Sequence, residues 1–313
     1  MHWTVHLRYN LFKILNWLLT PAETFILARQ SRDSSATPLV FIIGPPRSGT
    51  TILYQLLVHC YDFAYINNFV GNFYRCPNLA VRLSRVLQID RRAVAFTSRH
   101  GVTPGLAGPH EFGDFWYRWF PKTPHYADAG TLSLARKQAL QNTVDALAHF
   151  FNRTLLFKNV IHSVRIKALQ DIFPQALFIV CERNPLYTAQ SIYQVRKERA
   201  HNHGWWSVQP REIEELRSKP MLEQCVSQLY YVTRQIEEDC GVLPAERYIK
   251  VMYEQLCEET SAVLAGIESR LENQRLPVVK RPVGVPHIRS SNRQSIEDTE
   301  FQRIKELVEQ LWQ

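Results

Sequence analysis

A short apolar run that empties into a Gly/Pro/Ser turn, and from there straight into a helical repeat, constrains this chain more than any other feature. Residues 39–51 read Leu-Val-Phe-Ile-Ile-Gly-Pro-Pro-Arg-Ser-Gly-Thr-Thr. The first five have the unbroken hydrophobicity of a strand covered on both faces. Ile52, Leu53, Leu56 and Leu57 then recur on one helical face. Strand, loop and helix in that order put the loop at a helix N-terminus, where unbonded N–H groups and the positive dipole end favour an anion. Gly44 and Gly49 set the G-x-x-x-x-G frame of a phosphate-binding loop, yet Thr50 stands where the lysine of an ATP-binding loop belongs. The loop's cation is Arg47 instead. A phosphate grip without that lysine argues against kinases and ATPases.

Further strands are expected near residues 63–66, 154–157, 176–181 and 248–252, and helices over 71–88, 131–151, 164–173, 220–240 and 296–311. Pro185, capped by Asn184, opens one more helix with Ala189, Ile192 and Val195 turned inward. Residues 89–110, rich in Gly, Pro and Arg, read as an irregular surface region or lid. Strands alternating with helices give an α/β chain, a three-layer P-loop-like fold with a central parallel sheet flanked by helices. The 313 residues divide into an amphipathic helix and polar linker (1–37) and a main domain (38–313). A net charge of +8 suits an anionic ligand, and it suits nucleic acid or an acidic membrane equally well.

The N-terminal stretch 7–19 is interrupted by Arg8, Asn10, Lys13 and Asn16, so neither a membrane span nor a secretory signal is expected there. Leu7, Leu11, Ile14, Leu15 and Leu18 form a stripe beside Trp17, either packed on the domain or lying in a membrane interface through residues 5–19. The six cysteines are scattered, without a C-x-x-C pair or metal spacing. A reducing, cytoplasmic setting is expected, with peripheral contact at the inner face of a membrane as the variant, and no metal.

The strand at 176–181 runs into Cys-Glu-Arg-Asn-Pro, and Ser191 follows about two helical turns after Arg183. Carboxyl ends of neighbouring parallel strands share one crevice, so Arg183 and Ser191 should face the same ligand as Arg47 and the loop. Two anion grips on one ligand describe an adenosine nucleotide phosphorylated at both its 5′ and 3′ positions.

Gly-Pro-Pro-Arg-Ser-Gly-Thr-Thr (44–51) and Val-Cys-Glu-Arg-Asn-Pro (180–185) with Ser191 resemble the 5′-phosphosulfate and 3′-phosphate motifs of the sulfotransferases. Leu-Phe-Lys-Asn (156–159), the helix ending in Phe173-Pro174, and Tyr-Glu-Gln-Leu (253–256) are similar to later segments of that family. The resemblance runs from about residue 38 to 258. It implies that 38–313 is a sulfotransferase domain using 3′-phosphoadenosine 5′-phosphosulfate (PAPS) without a metal. The sulfuryl group would pass to a hydroxyl on a carbohydrate, lipid or small metabolite.

The family's strand lysine maps onto Lys158, poised to stabilise the departing oxygen. Arg47, Ser48, Gly49, Thr50 and Thr51 map onto the 5′-phosphosulfate grip and Arg183 with Ser191 onto the 3′-phosphate site. From a late basic loop, Arg289 and Ser290 (or Arg293) join them. The family's usual bases are missing: Asn67 and Asn68 stand where a glutamate is expected, and Val160 where a histidine is. Glu111, beside bulky apolar residues, is the favoured base, with His110 and His162 as competitors and Asp114 behind them. The aromatic run 116–120 either lines an acceptor pocket or packs the core. Rival readings are an ATP-dependent P-loop kinase and a noncatalytic anion- or nucleic-acid-binding protein. No nucleic acid is expected as partner, and a homodimer is the default.

Overall fold

The computed structural model describes residues 2–29, 37–89, 96–98, 101–199 and 204–313. Most of the expected linker, and residues 90–95 and 99–100 of the expected lid, lie outside them. Along the chain come α1 (His2–Ala28), β1 (Leu39–Ile43), α2 (Thr50–Cys60), β2 (Ala64–Tyr65), α3 (Asn68–Gly71), α4 (Pro77–Val86), α5 (Gly113–Trp116) and α6 (Leu134–Phe151). There follow β3 (Leu155–Lys158), α7 (Ile166–Ile172), β4 (Leu177–Glu182), α8 (Pro185–Glu198), α9 (Ile213–Leu216) and α10 (Met221–Gly241). The chain closes with β5 (Tyr248–Met252), α11 (Tyr253–Glu258), α12 (Thr260–Asn273) and α13 (Asp298–Leu311).

The sheet is parallel throughout, in the order β2-β3-β1-β4-β5. All five residues of β1 are buried because side chains alternate across a strand covered on both sides. Leu39, Phe41 and Ile43 face α6 and α7, where Leu140, Val144, Leu147, Ile166 and Leu169 complete one core. Val40 and Ile42 face the other way, against Leu53, Leu56 and Leu57 of α2 and Leu264, Ile267 and Leu271 of α12. The three-layer expectation is met. A separate cluster joins α8, α10 and α13 through Ile192, Leu229 and Ile304. The register sets Lys158 beside Ile42 and Ile43 beside Val180. The ends of β3, β1 and β4 therefore open on one crevice.

Local departures have local causes. The helix expected over 71–88 breaks at residues 72–76 and restarts at Pro77, whose missing N–H is harmless only in a first turn. The helix expected from 164 is preceded by a tighter turn, Val160–Val164, capped by Asn159 Oδ1 accepting from Ile161 N at 2.9 Å. Asn184 caps α8 as expected, accepting from Leu186 N at 3.0 Å.

The largest departure is α1. Pro21 does not end it, because contacts on either side of the proline tie both halves to the body. Asn16 donates to Asn72 O and accepts from Arg75 N, both at 2.8 Å. Glu23 accepts from the backbone N–H groups of Asn78 and Leu79 and from Asn78 Nδ2. The helix packs with Phe12, Leu15 and Leu19 alongside these two buried polar residues. The stripe is split: Leu15 packs on the body, whereas Leu11, Ile14 and Leu18 are exposed. By length and composition alone the stretch Asn10–Ala28 is also apolar enough to cross a membrane, which residues 7–19 alone did not suggest.

Candidate active site

The loop after β1 is shaped by two glycines that tolerate no side chain. Gly49, with φ +95°, caps α2, and a Cβ there would meet the Tyr253 ring at 2.7 Å. At Gly44 a Cβ would meet Cys181 O at 2.5 Å and Ser48 Oγ at 2.6 Å. Ser163 clamps the loop, accepting from Gly44 N and donating to Gly44 O, each at 2.9 Å. No side chain caps α2, so its first-turn N–H groups are available to an acceptor at the cavity wall, which Gly49, Thr50, Thr51 and Ile52 line. Ser48 Oγ is buried with no hydrogen-bond partner among the described residues. A buried donor left over beside uncapped N–H groups fits a bound oxyanion such as a phosphosulfate end.

The cavity has a volume of about 420 Å³ and collects the ends of three strands. From β1 comes Arg47, whose Nε donates to Ser191 Oγ at 2.9 Å. From β4 comes Arg183, whose Nη1 donates to Arg47 O at 3.1 Å. The two cationic grips thus meet. Arg183 also donates to Asn292 Oδ1 at 2.8 Å and Ser291 Oγ at 3.2 Å, with its guanidinium 4.6 Å from the Tyr253 ring centre. Burial lowers the pKa of both guanidinium groups, and for Arg47 the charge of Arg183 adds to the effect. Two cations held this close favour an anion between them.

From β3 comes Lys158, only 2% exposed. Its ammonium forms an ion pair with Glu111 Oε1 and donates to Thr51 Oγ1 at 3.1 Å. Asn159 Nδ2 holds the backbone O of Glu111 at 3.2 Å. Gly101, at φ +90°, covers this cluster: a Cβ there would lie 3.5 Å from Glu111 Oε1 and 3.8 Å from Lys158 Nζ. Val160, Ile161 and Trp206 add apolar surface to the cavity wall.

The other expected site residues fall elsewhere. His162 is fully buried, edge-on to Trp116 at 4.5 Å and Phe41 at 5.7 Å between ring centres. Neither of its ring nitrogens has a hydrogen-bond partner among the described residues. It lines no part of the cavity, because the tight turn after β3 rotates it under the sheet. His110 packs over Gly71, where its Nδ1 accepts from Phe112 N at 2.9 Å, and does not line the cavity. Asp114 is exposed in the first turn of α5. Trp116 and Phe120 of the aromatic run are core residues, as is Phe115 just before it.

The late basic loop reaches the site with different residues from those expected. Arg289, Ser290 and Arg293 are exposed and outside the cavity wall. Ser291 and Asn292 touch Arg183, drawn in by Tyr253 Oη (3.0 Å to Ser291 Oγ) and by Glu254, which accepts from Asn292 Nδ2 at 2.6 Å. Ser163, Tyr253, Ser291 and Asn292 were thus missed as contributors. The Tyr-Glu-Gln-Leu segment was the signal for two of these contacts. Asn67 and Asn68, in the positions of the missing base, hold backbone instead. Asn67 Oδ1 caps α3, and Asn68 Nδ2 donates to Thr103 O and Gly105 O at 2.7 Å.

His162 has a measurable signature of its own. Burial, with Arg165 nearby, holds its pKa well below the ordinary value, so it stays neutral in the fold. The unfolded chain takes up the proton below about pH 6.5, so the folded state loses stability as pH falls, by about 1.4 kcal/mol per pH unit from this one group. His162→Leu should therefore flatten the fall in melting temperature between about pH 7 and pH 5. The same variant should leave the pH–rate profile unchanged. A shifted profile would return His162 to the candidate bases.

The sulfotransferase family model matches residues 38–275. The omega-hydroxy-beta-dihydromenaquinone-9 sulfotransferase Stf3 of Mycobacterium bovis, and the protein of the same name in Mycobacterium tuberculosis, are each 24% identical over 287 residues. The match spans 86% of this chain and 72% of theirs. Among solved structures, sulfotransferase STF9 from Mycobacterium avium shares the fold with a TM-score of 0.52 at 15% identity, covering 94% of this chain and 72% of that one.

Proposed function

The chain belongs to the sulfotransferase family, whose members generally take their sulfuryl group from PAPS, and from that premise we propose how its own residues divide the work. When bound, PAPS supplies a sulfuryl group on the bridging oxygen of its 5′-phosphate, with adenosine 3′,5′-bisphosphate as the leaving group. Arg47 and the N–H groups of Ser48 to Thr51 hold the 5′ end. Arg183 holds the 3′-phosphate, with Ser291 and Asn292 fixing its guanidinium and Ser191 linking the two grips through Arg47.

Glu111 is the general base. As the acceptor oxygen bonds to sulfur, Glu111 takes its proton, and Lys158 meets the charge arriving on the bridging oxygen as the S–O bond breaks. The ion pair between Lys158 and Glu111 sets the two side chains against each other at the cavity wall, where a substrate entering the cavity would separate them. The apolar wall of Val160, Ile161 and Trp206 supports an acceptor whose hydroxyl sits on a largely apolar body. The relatives named for an omega-hydroxy compound agree with that class.

The meeting of Lys158, Glu111 and Thr51 with Arg47 and Arg183 in one cavity carries this assignment. Incubation with ³⁵S-labelled PAPS and fractionated hydroxylated lipids, sugars and small metabolites tests it. Transfer of label without added Mg²⁺, abolished by Glu111→Gln, is the expected result. Absence of label in every fraction, with Mg²⁺-dependent ATP binding or nucleic-acid binding in its place, would overturn it.

A further inference from the structure

Helix α1 is built inside out. Between Asn10 and Arg29 its two polar residues with the most hydrogen bonds to distant backbone, Asn16 and Glu23, point inward. Its outer face carries Leu11, Ile14, Trp17, Leu18 and Phe25, all more than half exposed, with Trp17 at 70%. A helix that is apolar on the side away from its own core needs something to cover it.

We propose that this face docks on an anionic lipid bilayer, with α1 lying in the plane of the interface. The charge pattern selects that partner. With Glu23 turned inward, the exposed ionisable side chains from Asn10 to Arg29 are Lys13 and Arg29, both cations, on a chain of net charge +8. A two-fold contact with a second copy would bring these like charges together across the same apolar patch. Trp17, flanked by Lys13 and Leu18, supplies the amphipathic ring that settles at headgroup depth. The segment has the length and hydropathy of a span, yet Asn16 and Glu23 tie it to residues 72–79 along its length. Crossing the bilayer would strip those polar groups of their partners, whereas lying on it leaves every bond in place.

The docked helix connects to the cavity through a short chain of hydrogen bonds. Asn16 donates to Asn72 O, Asn72 Nδ2 donates to Asn68 O at 2.6 Å, and Asn68 Nδ2 donates to Thr103 O at 2.7 Å. Thr103 lies two residues from Gly101, which covers the Lys158–Glu111 pair. Val102 and Leu106 of the same loop are exposed apolar residues. The helix proposed to dock is thus joined by hydrogen bonds to the loop that covers the cavity.

Co-sedimentation of the full chain with phosphatidylcholine vesicles, with and without phosphatidylglycerol, tests this. Wild type should bind the anionic vesicles, less tightly as salt rises. Ile14→Ser/Trp17→Ser/Leu18→Ser should weaken binding at least tenfold. Lys13→Glu/Arg29→Glu should remove the preference for anionic lipid. These positions are exposed, so the melting temperature and the affinity for adenosine 3′,5′-bisphosphate should not move, which separates this outcome from a failure of the sulfotransferase site. Vesicle binding unaffected by the triple variant, or none by wild type, overturns the proposal. So does a wild-type dimer that the triple variant dissociates, since a second copy would then be the partner.

Discussion

Lys158→Met should cut sulfuryl-transfer turnover by about 10²–10³-fold, the loss typical of one group that stabilises transition-state charge. The same variant should bind adenosine 3′,5′-bisphosphate within about threefold of wild type, because Lys158 meets charge that arrives only as the S–O bond breaks. Methionine roughly conserves the volume of a side chain that is 2% exposed, so the strand end should not collapse. Glu111 loses its ion-pair partner, but at 37% exposure it keeps solvent contact. The stability cost therefore stays below the ~3–5 kcal/mol expected when a fully buried pair is broken. Turnover and bisphosphate affinity measured side by side settle the role. Parallel losses would make Lys158 a binding residue, and unchanged turnover would remove it from the chemistry.

Arg183→Ala should weaken adenosine 3′,5′-bisphosphate binding by roughly 10- to 100-fold, the range for losing charge-assisted hydrogen bonds to a phosphate. Adenosine 5′-phosphate, lacking the 3′ group, should lose far less. Some loss is expected even there, because Arg183 Nη1 donates to Arg47 O and helps set the 5′ grip. Arg183→Lys should recover only part of the affinity. A lysine has no planar fork to satisfy Asn292 Oδ1, Ser291 Oγ and Arg47 O at once, nor to stack on Tyr253. Calorimetric titration of both nucleotides into both variants gives the ratio. Equal losses for the two nucleotides would dissociate Arg183 from the 3′-phosphate.

Much of the architecture was legible because it is written in local periods. The β1 run, the loop glycines and the α2 repeat are contiguous, and a parallel sheet makes the ends of its strands converge whatever the loops do. Arg47 and Arg183 could be placed in one crevice for that reason, while Lys158 was reached through the family resemblance. Glu111 was reached through its apolar neighbours and by elimination, and the structure brings it against Lys158. His110 and His162 attracted attention as titratable residues near the right segments, yet a single tight turn decides whether such a side chain meets solvent or core. The late basic loop that bears Ser291 and Asn292 was legible, but not that these two, rather than Arg289 and Ser290, would touch Arg183. They reach Arg183 because Tyr253 and Glu254, far back in the chain, fasten the loop that bears them.

The amino-acid order alone therefore determined the layered parallel fold and the phosphate-gripping loop, and it put a cation at the end of each of two strands, Arg47 after β1 and Arg183 after β4. Each of these follows from spacing within a few residues. Only the tertiary structure decided which arc of α1 faces the body, which titratable groups line the cavity and which late residues hold Arg183. Hydrophobic periodicity shows that a face is apolar but not what covers it. A buried polar group takes its orientation from partners distant in sequence, as Asn16 does from residues 72 and 75 and Glu23 from 78 and 79.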